Sequence, residues 1–448
     1  MREYLIFLAQ QHPSFRVAEL DALADLHNIK IDLSGHDEEN PFLIVQLEDD
    51  IAAANLIERA ILSRGIYELW GMGATQELLH EDVKTRSSHR WEEFKMCTFK
   101  FDVLGFRGKR TTAEKVAIME QFQYLPLEGP INLKKPNEIF TVLEHYEAIN
   151  EHESTEKPVM YYFGRQIALS ARSHQIVEKY DLKKRKYIGT TTFEAELALV
   201  SCNLAQVRKR QLLYDPFAGT GSFLVAGGHF GALTIGSDID GRMIKGKGNN
   251  TIPANFKQYN MSLNFLDVMA MDFTHNAFRD NLGIDVIVCD PPYGIREGLK
   301  VLGARDPEKF VGKEKIEING MKSWLMKTYI PTKKPYELDN LLYDLLNFAS
   351  ERLPIGGRLA FWMPTANDNF EPTIIPQHKN LELKYHLVQE FNKWSRRLLV
   401  YINRGAEYNG QDNRAATSLP EFRKMYFRAS KTPTPEPSFN ETGKSERG

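Results

Sequence analysis

Cysteine is scarce in this sequence of 448 residues, and its three copies, Cys97, Cys202 and Cys289, lie far apart. A disulfide framework or a zinc site needs more cysteines at closer spacing, so the sequence predicts neither and we expect no metal. Long apolar runs are missing as well, since no window approaches the roughly 18 uninterrupted apolar residues of a membrane span. The apolar run at the N-terminus is also too short for a signal peptide. These features favour the cytosol or the nucleus, and we expect a cytoplasmic protein that does not enter membranes.

Excess charge of either sign is absent too, because the net charge is −2. The charge is nevertheless uneven: residues 1–170 contain 18 Lys and Arg against 28 Asp and Glu, and the remainder contains 39 against 31. Basic residues cluster in the segments 84–110, 171–187 and 391–431. One such cluster alone is typical of a solvated surface, but three in a chain of balanced charge favour a polyanionic partner.

The order of apolar runs divides the chain into five segments. Residues 1–75 alternate β-type and helical runs, which predicts a small α+β module, and residues 76–168 predict a second one. Residues 169–190 form a basic linker. From 191 to 428 apolar strands alternate with helices, which predicts a doubly wound, mostly parallel α/β sheet with a closing antiparallel pair. Residues 429–448 have the composition of a disordered tail.

The first strand of the predicted parallel sheet ends in "YDPFAGTGSFL", where glycines permit positive φ and the close approach of a ligand. Ligands of such sheets bind at the carboxyl ends of the strands. The spacing differs from the G-x-G-x-x-G of dinucleotide sites, and no Lys-Ser or Lys-Thr follows as in a phosphate-binding loop. The candidate cofactor ligands in this turn are Asp215, Phe217, Gly219, Thr220 and Gly221.

Two further strands end in acids that suit a nucleoside. A carboxylate in "GSDID" can accept both hydroxyls of a ribose, and Asp238 is the predicted ligand. Asp240 is the alternative, although it fits a helix N-cap better. Asp272 can accept the exocyclic amine of an adenine while Phe273 covers the ring edge. Acids for ribose and adenine without a phosphate site fit S-adenosylmethionine.

A fourth strand ends abruptly in Asp290-Pro291-Pro292-Tyr293, beside the inferred methyl donor. Consecutive prolines stiffen the loop, because each fixes φ and removes a donor. The Asp290 carboxylate and the Pro291 carbonyl can each accept one hydrogen of an exocyclic amine, which stabilises the charge that develops during its methylation. Tyr293 offers a face for base stacking, worth ~1–3 kcal/mol. Cys289 is predicted to be a buried packing residue rather than a nucleophile.

Residues 294–336 follow this motif as a long, weakly patterned insertion. It contains Arg296, Lys300, Arg305 and Trp324. Loops of this length usually form lids, form binding surfaces or are disordered. We expect a substrate lid.

Four stretches resemble a known family: "KYDLKKRKYIGTTT", "YDPFAGTGSFLVA", "GSDIDGR" and "CDPPYGIREG". Residues 190–430 resemble the Rossmann-like class I S-adenosylmethionine-dependent methyltransferases that methylate amines. The whole chain resembles the eukaryotic tRNA guanine-N2 methyltransferases, which modify guanosine at position 10. The resemblance implies a ferredoxin-like module over residues 1–75 and a THUMP module, an RNA-binding fold, over residues 76–168.

The resemblance also implies roles for single residues. Cofactor contacts are implied for Asp215, Gly219, Gly221, Asp238 and Asp272, and base positioning for Asp290, Pro291 and Tyr293. The segment "YIGTTT" matches one that approaches the methionine end of the cofactor, which adds Thr191. This sequence departs from the family there, with Thr192-Phe193 in place of Ser-Met.

Two partners are implied by the same resemblance. One is tRNA, read by its shape as base-paired RNA usually is. The candidate RNA contacts are Arg107, Lys109, Arg110, Lys183, Lys184 and Arg185. The other partner is a small zinc-binding activator subunit that covers an apolar edge of the catalytic domain.

Two other hypotheses stay open at this stage. Adenine-N6 and protein-glutamine methyltransferases use a related acceptor motif, more often with Asn in place of Asp290. A catalytically inactive RNA-binding scaffold is the second hypothesis, and the intact acids at the four strand ends argue against it.

Overall fold

The computed structural model describes residues 1–413, with internal gaps. The gaps are 150–152, 294–298, 305, 307, 309, 310, 312–315, 319, 327, 328, 330 and 369. The predicted tail 429–448 therefore lies outside the described residues, as do Arg296 and Arg305 of the insertion. Among the described residues, no helix combines the length and the apolar character that crossing a membrane requires.

The N-terminal part of the chain folds into alternating strands and helices. These are β1 (Arg2–Leu8), α1 (Pro13–His27), β2 (Phe42–Leu47), α2 (Asp50–Ile57), β3 (Ser63–Gly73), α3 (Gln76–Ser87), α4 (Trp91–Phe94), β4 (Phe99–Phe106), α5 (Thr112–Glu120), β5 (Glu138–His145) and β6 (Met160–Leu169).

The remainder of the chain continues the numbering. It contains α6 (Ile176–Lys179), α7 (Ala195–Leu204), β7 (Leu212–Asp215), α8 (Ser222–His229), β8 (Leu233–Asp238), α9 (Gly241–Lys245), α10 (Ile252–Gln258), β9 (Phe265–Ala270) and β10 (Val286–Cys289). Further elements are β11 (Lys300–Leu302), β12 (Glu317–Ile318), β13 (Met321–Lys322), β14 (Lys333–Pro335), α11 (Leu338–Arg352), β15 (Arg358–Ala366), β16 (Leu381–Glu390) and β17 (Trp394–Asn403).

One six-stranded sheet, in the order β2-β1-β3-β6-β5-β4, runs through both predicted N-terminal modules. The expected boundary at residue 75 lies between β3 and α3, and the sheet continues across it, because β3 pairs antiparallel with β6 from Gly65 opposite Leu169 to Gly73 opposite Tyr161. Each half has its own core. Tyr4, Leu20 and their neighbours pack beside α1 and α2, while a separate aromatic cluster around Trp70 packs near α3 and α5. A third cluster, in which Leu5 and Phe7 pack with Leu143 and Tyr162, contains residues of both modules. The two modules thus share one sheet and part of their core.

The sequence "SFRVAELDALADLH" predicts an amphipathic helix with Ser14 as its N-cap, and the structure of α1 differs from this prediction. The cap position is His12, with φ 48°, and Pro13 occupies the first helical turn. Proline suits that position because its missing N–H has no partner there. The Ser14 hydroxyl instead donates to the carbonyl of Val388 on β16, 3.3 Å away. The predicted cap is therefore wrong, and this side chain joins the two halves of the protein.

The second sheet has seven strands in the order β16-β17-β15-β10-β7-β8-β9. The five strands from β15 to β9 are parallel, and β17 is antiparallel to both β15 and β16. This confirms the predicted parallel sheet with a closing antiparallel pair. The strand order reverses between β7 and β10, and ligands of doubly wound sheets bind outside the carboxyl ends of strands at such a point.

Side chains of the central strands alternate between two cores. Leu213, Val288 and Trp362 belong to the core beneath α7 and α8. Tyr214 and Ile287 belong to the core beneath α11 on the opposite face. Because strand residues alternate in direction, Asp215 and Asp290 follow the first set and lie toward the α7 and α8 face.

A buried polar contact joins the N-terminal part, with its six-stranded sheet, to the domain of the seven-stranded sheet. The Glu19 carboxylate on α1, which is fully buried, accepts hydrogen bonds from the backbone of Ile61 and Leu62 and from Asn203 Nδ2 on α7. Arg59 donates to Asn203 Oδ1 at 2.8 Å. Burial raises the pKa of Glu19. Across the interface, Asn203 therefore donates a hydrogen bond to the Glu19 carboxylate and accepts one from the Arg59 guanidinium.

Candidate active site

Four acids lie along one edge of the seven-stranded sheet. Asp215 ends β7, Asp238 ends β8, and Asp272 and Asp290 follow β9 and β10. These four strands are parallel neighbours in the order β10-β7-β8-β9, so their carboxyl ends meet at the same edge. The structure thus brings together the four predicted acids.

Asp215 contains an unpartnered buried atom. Its Oδ1 accepts a hydrogen bond from the Phe217 backbone at 3.0 Å, whereas its Oδ2 has no partner among the described residues. Burial raises the pKa of Asp215 well above its ordinary value, and the nearby carboxylates of Asp238 and Asp290 add to the effect. A buried oxygen without a donor costs free energy, so this position suits a donor or cation supplied by a ligand.

The glycine turn leaves open space beside this carboxylate. Gly219 has φ +51° and Gly221 has φ +83°, a region that favours glycine. A Cβ added to Gly219 would meet nothing closer than 3.9 Å, so a ligand can approach the backbone here. A Cβ at Gly221 would lie 3.0 Å from the Ile252 side chain, just before α8 begins at Ser222.

The segment before α7 lies against this turn. Thr192 Oγ1 accepts from the Gly189 backbone at 2.6 Å and lies 2.9 Å from Thr220 Oγ1. The Phe193 carbonyl accepts from the Ser222 hydroxyl at 2.9 Å. Thr191, the residue that the resemblance implied, is exposed. Its cofactor contact stays a prediction, and Thr192 is the residue in contact with the glycine turn.

Asp238 and Asp240 have different partners. Asp238 accepts from the backbone of Gly219 at 2.9 Å and of Asp240 at 2.8 Å, and burial raises its pKa. Asp240 caps α9, accepting from the Arg242 backbone, and its carboxylate also pairs with the Arg242 guanidinium. This arrangement favours Asp238 as the ribose ligand, because the other carboxylate already serves a helix and an ion pair.

Asp272 is buried, and its oxygens have partners within the chain. It accepts from the backbone of Thr274 at 3.0 Å and of Leu302 at 2.6 Å. Phe273 packs edge-on against Phe217, with 5.5 Å between ring centroids. Phe273 is buried in the core beneath α11. Its cover of an adenine ring and the contact from Asp272 to that ring both stay predictions.

The described part of the 294–336 insertion reaches this side of the crevice. Leu302 on β11 donates to Asp272, as above, and Lys333 on β14 donates through Nζ to the Ile239 carbonyl at 3.3 Å. The Lys333 charge lowers the pKa of Asp238, against the larger effect of burial. The insertion thus contacts residues around the predicted cofactor site, and its role as a substrate lid stays a prediction.

The Asp-Pro-Pro-Tyr turn folds back on itself. The Tyr293 hydroxyl donates to Asp290 Oδ1 at 2.5 Å. Pro291 is buried and Pro292 exposed. Burial raises the pKa of Asp290 to about 6, while the Tyr293 hydrogen bond and the charge of Arg396 act in the opposite direction. Stacking of a base on Tyr293 stays a prediction.

Cys289 is fully buried on β10, which confirms that it packs in the core. Burial raises the pKa of its thiol well above the ordinary value. The thiolate, which is the nucleophilic form of cysteine, is therefore disfavoured here.

Sequence reasoning missed Arg396 on β17. This residue lies opposite Pro364, three residues beyond Phe361, which in turn lies opposite Cys289. Arg396 therefore lies at the same height along the sheet as the Asp-Pro-Pro-Tyr turn, which directly follows Cys289. Its side chain is on the sheet face covered by α7 and α8. Its guanidinium lies 4.6 Å from the Phe193 ring centroid and bonds Glu194 Oε1 at 2.9 Å. The basic segment 391–431 was the only signal, and its composition could not single out this residue.

The predicted RNA contacts divide into exposed and occupied side chains. Arg107, Lys109, Lys183 and Lys184 are exposed. Arg110 binds the buried Glu144 carboxylate at 3.0 Å and also pairs with Glu114.

Arg185 is buried, with 5% of its surface exposed, and donates to Ser222 Oγ at 3.1 Å. The prediction that Arg185 contacts RNA is therefore wrong. Its guanidinium points into the domain of the seven-stranded sheet and holds the linker at the start of α8. The carboxylates of Glu114 and Glu144 balance the charge of Arg110, so a contact from Arg110 to an RNA phosphate would have to compete with both acids.

Two families match consecutive parts of the chain. Residues 2–172 match the Tmrp11 THUMP N-terminal domain, and residues 183–304 match the RMKL-like methyltransferase domain. The first match spans both N-terminal modules, as the shared six-stranded sheet does.

Curated relatives match nearly the whole chain. The tRNA (guanine(10)-N(2))-methyltransferase of Saccharomyces cerevisiae is 59% identical, covering 95% of this chain and 99% of the relative. The enzyme of the same name from Schizosaccharomyces pombe is 34% identical, covering 95% and 96%. Among solved structures, TrmN from Thermus thermophilus matches with a TM-score of 0.39 at 15% identity, covering 90% of this chain and 99% of that one.

Proposed function

This chain belongs to the tRNA (guanine(10)-N(2))-methyltransferase family, and we propose that it transfers a methyl group from S-adenosylmethionine to the exocyclic N2 amine of guanosine 10 in tRNA. The observation that carries the proposal is the position of Asp290, which lies on the same sheet face and edge as the buried, unpartnered Oδ2 of Asp215. The acceptor motif and the predicted donor pocket thus adjoin. The shared activity of the curated relatives supports guanine as the target.

The residues of the crevice fit S-adenosylmethionine. The lone Oδ2 of Asp215 suits an ammonium group, directly or through water, and the open space at Gly219 admits a ligand against the backbone. Asp238 would hold the ribose, and Phe273 would cover the adenine. When bound, the cofactor supplies a methyl group on a positively charged sulfur.

Asp290 and Pro291 would orient the guanine. An exocyclic amine is a poor nucleophile, because its lone pair is drawn into the ring. Among the described residues, Tyr293 is the donor to Asp290 and uses Oδ1, so Oδ2 is available to accept one amine hydrogen. The Pro291 carbonyl accepts the other. These fixed acceptors stabilise positive charge that develops on nitrogen, and the ionised Asp290 can take the surplus proton.

The experiment purifies the full-length chain from its natural source, together with any small subunit bound to it, and incubates it with a tRNA transcript and S-adenosylmethionine. The RNA is then digested, and its nucleosides are identified by mass spectrometry. We expect N2-methylguanosine from the parent transcript and none from a transcript with adenosine at position 10. Methyladenosine in place of methylguanosine would support the alternative adenine-N6 activity. Failure to bind S-adenosylmethionine by calorimetry, even with the small activator subunit present, would support the inactive scaffold instead.

A small zinc-binding activator subunit is the second part of the proposal. The strand β9 ends the catalytic sheet and pairs on one side, with β8. Leu263 and Leu266 at this edge are 92% and 50% exposed, which favours a partner that covers them. The described residues of this chain contain no group of three metal-ligating side chains, so zinc in the complex would come with the partner.

To test for the activator, the chain is purified from its natural source, and the proteins and zinc that copurify with it are measured. We expect a small subunit and bound zinc in the parent complex, and loss of both from Leu266→Asp. Retention of the small subunit and the zinc in that variant would remove β9 from the interface.

A further inference from the structure

We propose that six exposed lysines beside the cofactor crevice form one phosphate-binding surface along which the backbone of tRNA lies. They are Lys183, Lys184 and Lys186 of the linker, Lys245 and Lys247 at the end of α9, and Lys257 of α10. We call these six residues the lysine face. The inference rests on the proposed function, since it names where that substrate is held, and it adds α9 and α10 to the RNA-binding elements.

Direct contacts join the three elements into one surface. The Lys186 backbone donates to Gln258 Oε1 at 2.9 Å, and Gln258 Nε2 donates to the Lys184 carbonyl at 2.7 Å. These two bonds fasten the linker to the end of α10. The Tyr187 hydroxyl donates to the Met243 carbonyl at 2.7 Å, which fastens the linker to α9.

Asn255 strengthens the same junction. Its Oδ1 accepts from the Tyr187 backbone at 2.8 Å, and its Nδ2 donates to the Tyr187 carbonyl at 2.9 Å. Asn255 is fully buried, so both bonds are shielded from water. The linker therefore has a fixed path between α9 and α10, and the lysines on all three elements keep fixed relative positions.

The ammonium group of Lys184 donates to the Glu178 carbonyl at 2.8 Å, and those of the other five lysines are open to a ligand. Within the part of the chain that the structure describes, none of the six has a carboxylate within 4.0 Å. The nearby acids are occupied instead. Asp181 accepts from the Lys183 backbone at 2.8 Å, and Asp240 caps α9 and pairs with Arg242. Six positive charges thus face solvent with few acids to neutralise them.

Lys245 and Lys247 are held on a tight turn. The backbone groups of Lys247 and Asn250 bond each other in both directions, at 2.9 and 3.1 Å. Gly246 has φ +69°, and a Cβ at this position would lie 2.3 Å from the Asn250 carbonyl oxygen. Only glycine fits there. The turn thus holds the two lysines in place before any ligand binds, which reduces the entropy lost on binding.

The chemistry of the surface suits a phosphate backbone rather than bases. Lysine ammonium groups act as point charges, and contacts of this kind position a nucleic acid without reading its sequence. The surface also adjoins the crevice, because α9 follows Asp238 and its cap Asp240, and Tyr187 precedes the Gly189–Thr192 turn. RNA held here would lie beside the carboxyl edge that carries Asp290.

The test compares two triple variants of the full-length chain. In Lys245→Gln with Lys247→Gln and Lys257→Gln, the slope of log K for tRNA against log salt should fall in magnitude by roughly 2 to 3, because each lost phosphate contact removes about 0.7–0.9. KM for tRNA should rise with little change in kcat. The control changes Lys30, Lys209 and Lys379, exposed lysines away from this surface, to Gln and should keep the parent slope.

Two further measurements keep the result interpretable. Cofactor affinity of the first variant should stay within about twofold of the parent, and replacement of the same three lysines by Arg should restore the slope. A parent-like slope in the Gln variant would overturn the lysine face even if the parent methylates tRNA. A parent that binds tRNA through these lysines but leaves it unmethylated would instead overturn the proposed function.

Discussion

At the scale of single residues, opposing effects act on the pKa of Asp290. Burial favours its neutral form, whereas the Tyr293 hydroxyl and the charge of Arg396 favour the carboxylate, and the result is a pKa of about 6. Catalysis needs the ionised form, because only that form can accept both an amine hydrogen and the final proton. The side chain therefore titrates close to the working pH, as catalytic acids and bases often do.

Asp290→Ala should abolish turnover and leave cofactor affinity within about tenfold, a difference of ~1.4 kcal/mol. The carboxylate serves the acceptor base, whereas the donor pocket is built on the neighbouring strands. Single-turnover assays and calorimetry with S-adenosylmethionine measure the two effects separately. Loss of cofactor binding in this variant would place Asp290 in the donor pocket and contradict its assignment.

Arg396→Gln should move the acid limb of the kcat/KM profile above pH 6. The substitution removes a positive charge that lowers the pKa of Asp290, so protonation begins at higher pH. Glu194→Gln should move the limb in the opposite direction, because it frees the guanidinium from its 2.9 Å carboxylate partner. Arg404→Gln, at the far end of β17, is the matched control. An unchanged limb in Arg396→Gln would exclude this electrostatic role.

Much of this site could be predicted from sequence because its acids directly follow apolar strands. Asp215, Asp238, Asp272 and Asp290 occupy the expected edge for that reason. Arg396 could not be found in the same way, because its position depends on which residues of β15 and β17 lie opposite each other. Arg185 was misassigned, since a basic run does not reveal which of its members points inward.

Among the helices, strands and turns, the glycine turn between β7 and α8 has the largest effect on the shape of the predicted cofactor site. Gly221 has φ +83° where α8 begins, and the turn brings the Gly219 backbone to within 2.9 Å of Asp238. The turn thus sets both the start of the helix and the position of the predicted ribose ligand. A change in its backbone would displace both.

Gly221→Ala should destabilise the protein by ~1–3 kcal/mol, because alanine is strained at this φ, and it should weaken cofactor binding. Ile252 would also have to move, since the new Cβ would lie 3.0 Å from its side chain. Denaturant unfolding and calorimetry measure the two effects. Gly283→Ala is the control, because a Cβ there meets nothing within 4 Å. Equal stability and affinity in both variants would show that the turn tolerates a side chain.

Elements with strong apolar periodicity were predicted well, and weakly patterned ones were missed. The spacing of Leu338, Leu341, Leu342 and Leu345 on one face predicts the long helix α11, and apolar runs in the sequence predict all seven strands of the second sheet. It missed α3 and α10, which bury few side chains each. Both helices have a threonine N-cap, Thr75 and Thr251, whose hydroxyl accepts from the helix backbone. That cap was the available signal, but it is common in loops.

The whole molecule depends on the buried contact between its two halves. Glu19 and Arg59 of the N-terminal unit both bind Asn203 of α7. Phe15 stacks on Trp362, with 5.9 Å between ring centroids, in the same region. The core beneath α7 and α8 therefore continues into α1. Such an interface resists independent motion of the two halves.

Asn203→Ala should lower the free energy of unfolding by ~2–4 kcal/mol, since it leaves Glu19 and Arg59 short of partners in a buried site. Calorimetric unfolding should then separate into two transitions. Asn264→Ala, which removes a hydrogen bond to Ala232 within the catalytic domain, should lower stability without splitting the transition. A single transition in Asn203→Ala would mean that other contacts hold the halves together.

The pH dependence of this defect follows from the raised pKa of Glu19. A carboxyl with a higher pKa in the folded than in the unfolded protein contributes most at low pH, and that contribution is lost as pH rises through the folded pKa. Removing Asn203 takes away a donor to the carboxylate and raises this pKa further. The loss of stability in Asn203→Ala should therefore be smaller at pH 5 than at pH 8.

The buried interface at Asn203 fixes the distance between the N-terminal sheet and the seven-stranded sheet. If the N-terminal sheet binds one part of a tRNA, the packing of α1 on α7 sets the distance between that binding surface and Asp290. This distance does not change to fit the substrate. Selection of one guanine would then follow from distance, and a tRNA lengthened by one base pair between the two contact points would offer a different nucleotide or none.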